Sequence, residues 1–256
     1  MHIVVILRLV PDLADDLDLA EGGKSIDREW VGLALNEFDE QALEEAVLLS
    51  EASGATVTAL ALAGEGVERM LQGALARGAS AAILLEGSGD DPLPSRTAAP
   101  IYAEAIRALA PDLVLTGVQT IEDLFGQLAP YLGRLLDWPQ VSAVSGITLD
   151  AGHCQVRQEY SGGRQALIEV ALPAVIGLQT ASKPPRYVSA SKLKEAMKSD
   201  RLSRQPAGAG RLANAARIER LVPPERSAGA EMLGDDPDSA AAGILGALDA
   251  RGLLGT

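Results

Sequence analysis

Hydrophobic and polar positions alternate in a regular way over the first two thirds of the chain. Residues 3–10 form an apolar run broken only by Arg8, the pattern of a parallel strand covered on both faces. A polar excursion follows over residues 11–27. Asn36 then stands where an N-cap belongs, ahead of Phe38, Ala42, Ala46 and Leu49 at helical spacing. The acids Asp39, Glu40, Glu44 and Glu45 lie in the opening turns, where the helix dipole favours the earliest of them. Strands over residues 56–63, 81–86 and 112–117 alternate with helices over 67–77 and 96–109. The repeated β-α-β order predicts an α/β protein, an open and mostly parallel sheet with flanking helices and right-handed crossovers. Binding chemistry then belongs at the carboxyl ends of the strands.

Residues 121–136 read as one further helix, kinked or briefly broken at Pro130 and ended by Asp137-Trp138-Pro139. The period then shortens to strands over 141–149, 154–160, 165–170 and 174–178, with Gly162-Gly163 as a hairpin turn. These extend the sheet with antiparallel pairs. From Lys183 the chain is less regular: a Pro-Pro break, a basic helical stretch, a PAGAG linker at 206–210 and an Ala/Leu-rich helix after Asp238. The expected organisation is an α/β nucleotide-binding-like domain over 1–182, a partner-recognition segment over 183–204, and a linker with a C-terminal arm over 205–256. Ile244, Leu245, Leu248, Leu253 and Leu254 of the arm need something to pack on, either the main domain or another chain.

Composition narrows the function more than the fold. A chain of 256 residues with 47% hydrophobic and 22% charged positions is a folded globular protein with a sizeable core. The net charge of −13 disfavours nucleic acid and anionic lipid as partners. A single cysteine, Cys154, excludes an internal disulfide and any cysteine-rich metal site, which suits a reducing, cytoplasmic compartment. Apolar stretches stop well short of the ~18 residues of a membrane span. The N-terminus lacks a basic leader region, so the mature protein is expected to start at the first residue.

Few groups are available for catalysis. His2 and His153 are the only histidines, and neither a triad nor a metal cage can be assembled from them. His153 and Cys154 are adjacent in a strand, so they point to opposite faces and read as packing residues. No G-x-G-x-x-G follows the first strand and no G-x-x-x-x-G-K-[ST] occurs. The turn after the strand at 113–116, Gly117-Val118-Gln119-Thr120-Ile121-Glu122-Asp123, admits two readings: a plain β-α turn with acids at a helix start, or backbone amides facing a ligand anion. Asn36-Glu37-Phe38-Asp39 has the same ambiguity, since an N-cap explains Asn36 without a ligand. The window from Lys183 to Arg204 holds seven bases against two acids, within a chain of net charge −13. That segregation fits either a docking site for an acidic protein or a solvated basic helix.

The ordered set of short motifs resembles the β subunit of electron transfer flavoproteins over nearly the whole chain. The likeness is carried by the stretch from Leu35 through Asn36, Phe38 and Asp39 to Ala46, by Ala74-Leu75-Ala76-Arg77-Gly78-Ala79, and by Gly117-x-Gln119-x-Ile121-Glu122-Asp123. Leu136-Asp137-Trp138-Pro139, Gly162-Gly163, Leu172-Pro173, Pro185-Arg186-Tyr187, Pro223-Pro224-Glu225-Arg226 and Ala228-Gly229 continue it. The resemblance implies an adenine-nucleotide α-hydrolase-like, Rossmann-like domain without catalytic residues of its own. Such a subunit pairs with an electron transfer flavoprotein α subunit that holds the redox FAD, takes electrons from a donor dehydrogenase and passes them to a downstream acceptor.

Carried over by position, the resemblance implies a structural AMP site formed by Ile6, Asn36, Phe38, Asp39, Ala63 and the loop Gly117, Val118, Gln119, Thr120, Ile121, Glu122, Asp123, Gly126, Gln127 and Leu128, with Phe38 also near the partner's flavin. Val118 stands where the family has a lysine, and Leu128 where it has Thr or Val; both remove polar groups from a phosphate site. The family's recognition loop falls on 183–204. Its protruding leucine is Ala190 here, and the remaining candidates for partner docking are Arg186, Lys192, Leu193, Lys194 and Met197. Two alternatives accompany this reading: a bifurcating-type subunit with its own FAD, and a stand-alone adenylate-binding stress or sensor module, against which the long tail argues.

Overall fold

The computed structural model describes residues 1–14, 17–29, 31–87, 93–123, 126–210, 219–223, 229–230 and 232–254. Leu124 and Phe125 of the loop, and Pro224 to Ala228 of the later motifs, lie outside the described residues. The chain divides into two compact units, Met1–Glu219 and Arg220–Thr256.

In the first unit, β1 (His2–Ile6) leads to the short strands β2 (Leu9–Pro11) and β3 (Leu33–Leu35) and then to α1 (Glu37–Ser53). The alternating series follows as β4 (Thr56–Leu62), α2 (Val67–Arg77), β5 (Ala81–Glu86), α3 (Ser95–Leu109), β6 (Leu113–Gly117) and α4 (Leu128–Leu136). Next come β7 (Gln140–Asp150), β8 (His153–Tyr160), β9 (Arg164–Ala171), β10 (Ala174–Leu178), α5 (Ala190–Met197) and β11 (Leu202–Pro206). The second unit contributes α6 (Pro237–Asp249), which opens on a capping box in which Asp236 Oδ1 accepts from the amides of Asp238 and Ser239, each at 3.0 Å.

Nine strands form one sheet in the order β11-β5-β4-β1-β6-β10-β7-β8-β9. Within this sheet, among the described residues, the β7/β8 and β8/β9 pairs alone are antiparallel. β10, expected among the antiparallel extensions, instead pairs in parallel with both β6 and β7. Ile3, Val4, Val5 and Ile6 are fully buried because β1 sits between β4 and β6 with helices on both faces. The residues of α1 and α2 pack on one face of the sheet, and those of α3 and α4 on the other. The change of winding direction falls between β1 and β6. In open α/β sheets the crevice at that point is where ligands bind.

Three expectations are corrected. The apolar run 3–10 is not one strand: β1 ends at Ile6, and Leu9–Pro11 pairs antiparallel with Leu33–Leu35 in a separate two-stranded sheet. Arg8 is the cause, since its side chain turns toward the buried Asp39. The helix expected over 121–136 begins only at Leu128, which puts Pro130 in its first turn, where a missing N–H costs nothing. The basic stretch does not stay helical to Arg204, because Leu202–Pro206 adds an edge strand to β5.

The PAGAG segment is likewise pressed onto α3. A Cβ at Gly210 would lie 2.9 Å from Pro100 Cβ and 3.0 Å from Pro100 O, so glycine eases this approach, while one at Gly208 would displace the Glu104 carboxylate.

Candidate functional site

The carboxyl ends of β1 and β6 are joined by a buried ion pair. Arg8 Nη2 donates to Asp39 Oδ1 at 2.7 Å and Arg8 Nε to Asp39 Oδ2 at 2.9 Å, with the Asp39 side chain fully buried. Burial alone would lower the Arg8 pKa, but the Asp39 charge and hydrogen bonds more than offset it and raise it. Asp39 Oδ1 also accepts from the Gly117 amide at 2.8 Å, and Arg8 Nη2 reaches Gly117 O at 3.3 Å. The approach is close enough that a Cβ on Gly117 would meet Asp39 Oδ1 at 2.4 Å and the Asp39 amide nitrogen at 2.6 Å. The sequence therefore needs glycine where β6 ends against the start of α1.

Asn36 precedes α1, as its residue type suggests, but its side chain makes no cap hydrogen bond. Its Nδ2 instead donates to Gln119 O at 2.9 Å, tying the loop after β6 to α1. Within that loop the Val118 amide donates to Leu178 O, Asp123 N to Thr120 Oγ1, Gly126 N to Asp123 O and Gln127 N to Asp123 Oδ2. Arg28 pairs with Glu122, and Ser95 Oγ donates to Asp123 Oδ2. Phe38 is half-buried, Ile121 exposed and Leu128 buried.

A cavity of about 770 Å³ opens beside this junction. Leu7 and Arg8 after β1, Ala63 to Gly66 after β4, and Val67 at the start of α2 form its floor and one wall. Ala98 and Tyr102 of α3 close another side, and residues 28–29 and 31–33 cover it. The volume is in the range of small-molecule sites. Burial, opposed by Arg8, pushes the Tyr102 phenol well above its ordinary value, so it stays a neutral hydroxyl.

Of the positions singled out from sequence, Asn36, Asp39, Gly117 and Gln119 meet in one hydrogen-bonded junction, and Ala63 lines the cavity. Ile6 lies in the core beneath. The described residues of the loop from Thr120 to Leu128 are not among the cavity walls; Glu122 reaches them through its ion pair with Arg28. Sequence reading treated Arg8 as an interruption of a strand and passed over Arg28 and Tyr102. A lone charge inside a fully apolar strand run was the available signal for Arg8.

The basic window folds along α1, α2 and β5. Arg186 Nε and Nη2 contact Glu44 at 2.9–3.1 Å, Nη1 contacts Glu51 Oε1 at 2.6 Å, and the Arg186 amide donates to Glu44 Oε2 at 3.0 Å. Glu45, almost fully buried, accepts from the Ser182 amide at 2.7 Å and the Ile147 amide at 3.0 Å. Glu44 and Glu45 thus act as clamps for other segments, too far along α1 for its dipole to matter. Arg204 pairs with Glu68 at 2.6 Å and Glu86 at 2.8 Å. Four carboxylates outside the window therefore cancel most of the charge that composition assigns to it. Lys192, Lys194 and Lys198 of the α5 region have no ion pair among the described residues. Leu193 is half-buried, Ala196 is buried and Met197 is exposed.

Among the described residues no group of three or more His, Cys, Asp or Glu is placed to hold a metal ion, and no helix is long and apolar enough to cross a membrane. Cys154 faces the core, while His153 Nδ1 lies 3.1 Å from Ala151 O at a strand end.

Residues 24–204 match the family described as Electron transfer flavoprotein domain. The chain is 28% identical to the electron transfer flavoprotein subunit beta of Bacillus subtilis, over 94% of this chain and 95% of that protein. It is 33% identical to the subunit of the same name from Clostridium acetobutylicum, over 75% of this chain and 74% of that one. It is 35% identical to the mitochondrial electron transfer flavoprotein subunit beta of Oryza sativa subsp. indica, over 74% and 76%.

Proposed function

We propose, for a chain that belongs to the electron transfer flavoprotein β-subunit family, the role of the β subunit in a heterodimeric electron carrier. It pairs with an α subunit that holds the redox FAD, and it contributes no catalytic residue of its own. The observation that carries this reading is the cavity of about 770 Å³ at the carboxyl ends of β1 and β4, beside the change in winding direction.

The residues present fit a nucleotide there. Gly64 and Gly66 leave the entrance to α2 without bulky side chains, the guanidinium groups of Arg8 and Arg28, each already in an ion pair, offer N–H donors at the walls beside Glu29 and Glu65, and Tyr102 supplies a neutral hydroxyl. AMP or a similar nucleotide bound in it would brace β1, β4 and α3 and leave the electron chemistry to the flavin, which takes up and releases electrons in the α subunit. Asn36 and Asp39 hold the loop after β6 in register with α1, which fixes where Phe38 stands.

The segment 183–204 docks the electron-donor dehydrogenase, and α6, with Ile244 and Leu245 about half exposed, packs on the α subunit. Coexpression with an α subunit tests the reading. The expected product is a yellow heterodimer with one FAD and near one adenine nucleotide released per complex on heating. A chain that forms no complex and retains neither ligand would overturn it, and two flavins per complex would favour the bifurcating arrangement.

A further inference from the structure

Tyr187 is 93% exposed, the most exposed large hydrophobic side chain among the described residues. It follows Arg186 directly, and Arg186 is held inward by its amide and guanidinium contacts to Glu44 and Glu51 of α1. Val188 on the far side is again half-buried. The Arg186 clamp fixes the backbone immediately before Tyr187, while the Tyr187 side chain itself stays outside the fold. No contact within the described residues uses its ring or its hydroxyl. A large aromatic side chain on a pinned backbone loses little further freedom when a partner covers it, which is the property that concentrates binding energy in tyrosines at interfaces.

Charge indicates the kind of partner. The clamp consumes Arg186, whereas Lys192, Lys194 and Lys198 of the adjoining helix region meet no carboxylate among the described residues. A second copy of a chain with net charge −13 is repelled over most of its surface. We propose that Tyr187, presented by the Arg186 clamp, is the main anchor for the electron-donor protein, entering an apolar recess rimmed with carboxylates that face the α5 lysines. This rests on the function proposed above and sets Tyr187 ahead of the docking candidates Leu193, whose side chain is half-buried, and Met197, which is less exposed than Tyr187.

The test uses the flavin-loaded heterodimer and the dehydrogenase purified from the source cells by its ability to reduce the wild-type complex. Tyr187→Ala is expected to raise KM for the carrier about tenfold or more, with kcat, subunit assembly and flavin content unchanged. Tyr187→Phe should recover most of the affinity, and Tyr160→Ala, which removes an exposed tyrosine on β8, should stay within twofold of wild type. A Tyr187→Ala carrier with a KM within twofold of wild type overturns the proposal. So does a Tyr187→Ala chain that no longer assembles, since the tyrosine would then belong to the subunit interface. A wild-type chain that forms no flavin-holding complex with an α subunit, and so gives no carrier that a dehydrogenase reduces, overturns the proposed function, and the anchor with it.

Discussion

Arg8 and Asp39 meet through two hydrogen bonds of 2.7 and 2.9 Å at the point where the sheet changes its winding direction. The carboxylate is fully buried and also holds the Gly117 amide, so one side chain fastens the end of β1, the start of α1 and the end of β6. Asp39→Ala leaves the Arg8 cation without its partner in a low-dielectric site, and a loss of about 3–5 kcal/mol in unfolding free energy is expected. Urea denaturation measures it. The double variant Arg8→Met with Asp39→Leu should lose less than Asp39→Ala alone, because no charge is stranded. A single-variant loss below about 1 kcal/mol would place the pair among weak surface contacts.

Gly117→Ala drives a methyl group to 2.4 Å from Asp39 Oδ1. The backbones of β6 and α1 must then separate, at about 1–3 kcal/mol for overpacking, and the ion pair is strained with them. Thermal unfolding should show the loss, and the nucleotide proposed for the neighbouring cavity should be released more readily. An unchanged melting temperature would contradict the close approach.

The clamp on Arg186 carries a pH signature. A hydrogen bond from Arg186, reinforced by its charge, holds the Glu51 carboxyl below its ordinary value of 4.5 despite a small opposing effect of burial. A depressed acid contributes stability that is fully present above its unfolded-state value and is lost as the pH falls through the lower folded-state value. The stability difference between wild type and Glu51→Gln should therefore be constant near neutrality and shrink below about pH 4.5. The half-exposed carboxylate keeps the effect small. A difference that widens on acidification would show that the pair does not stabilise the fold.

Cys154 is buried between sheet and helices, and burial pushes its thiol up to about 11. A neutral, inaccessible thiol is a poor nucleophile. Ellman's reagent at pH 8 should leave the native protein unmodified and titrate one thiol per chain in guanidinium. Rapid labelling of the native protein would mean that β8 opens.

Much of the fold was legible in the sequence because the β-α-β series depends on periodicity. The runs 56–63, 81–86 and 112–117 and the helix 67–77 follow from apolar spacing that few other structures can bury, and the observed elements reproduce them within a residue or two. The motif order from Asn36 to Tyr187 likewise carried the family. Wherever a residue acts through a distant partner, tertiary structure decided the outcome. Arg8 ends β1 because Asp39 is buried opposite it, and Asn36 forgoes its cap because Gln119 O lies within reach. Glu44 and Glu45 leave the solvent to clamp residues about 140 positions away. The charge of the window 183–204 was a property of composition. What it presents to a partner was set by folding, which brought Glu44, Glu51, Glu68 and Glu86 against two of its arginines and left Tyr187 outside, because pairing depends on which chains the sheet brings side by side and no local pattern encodes that.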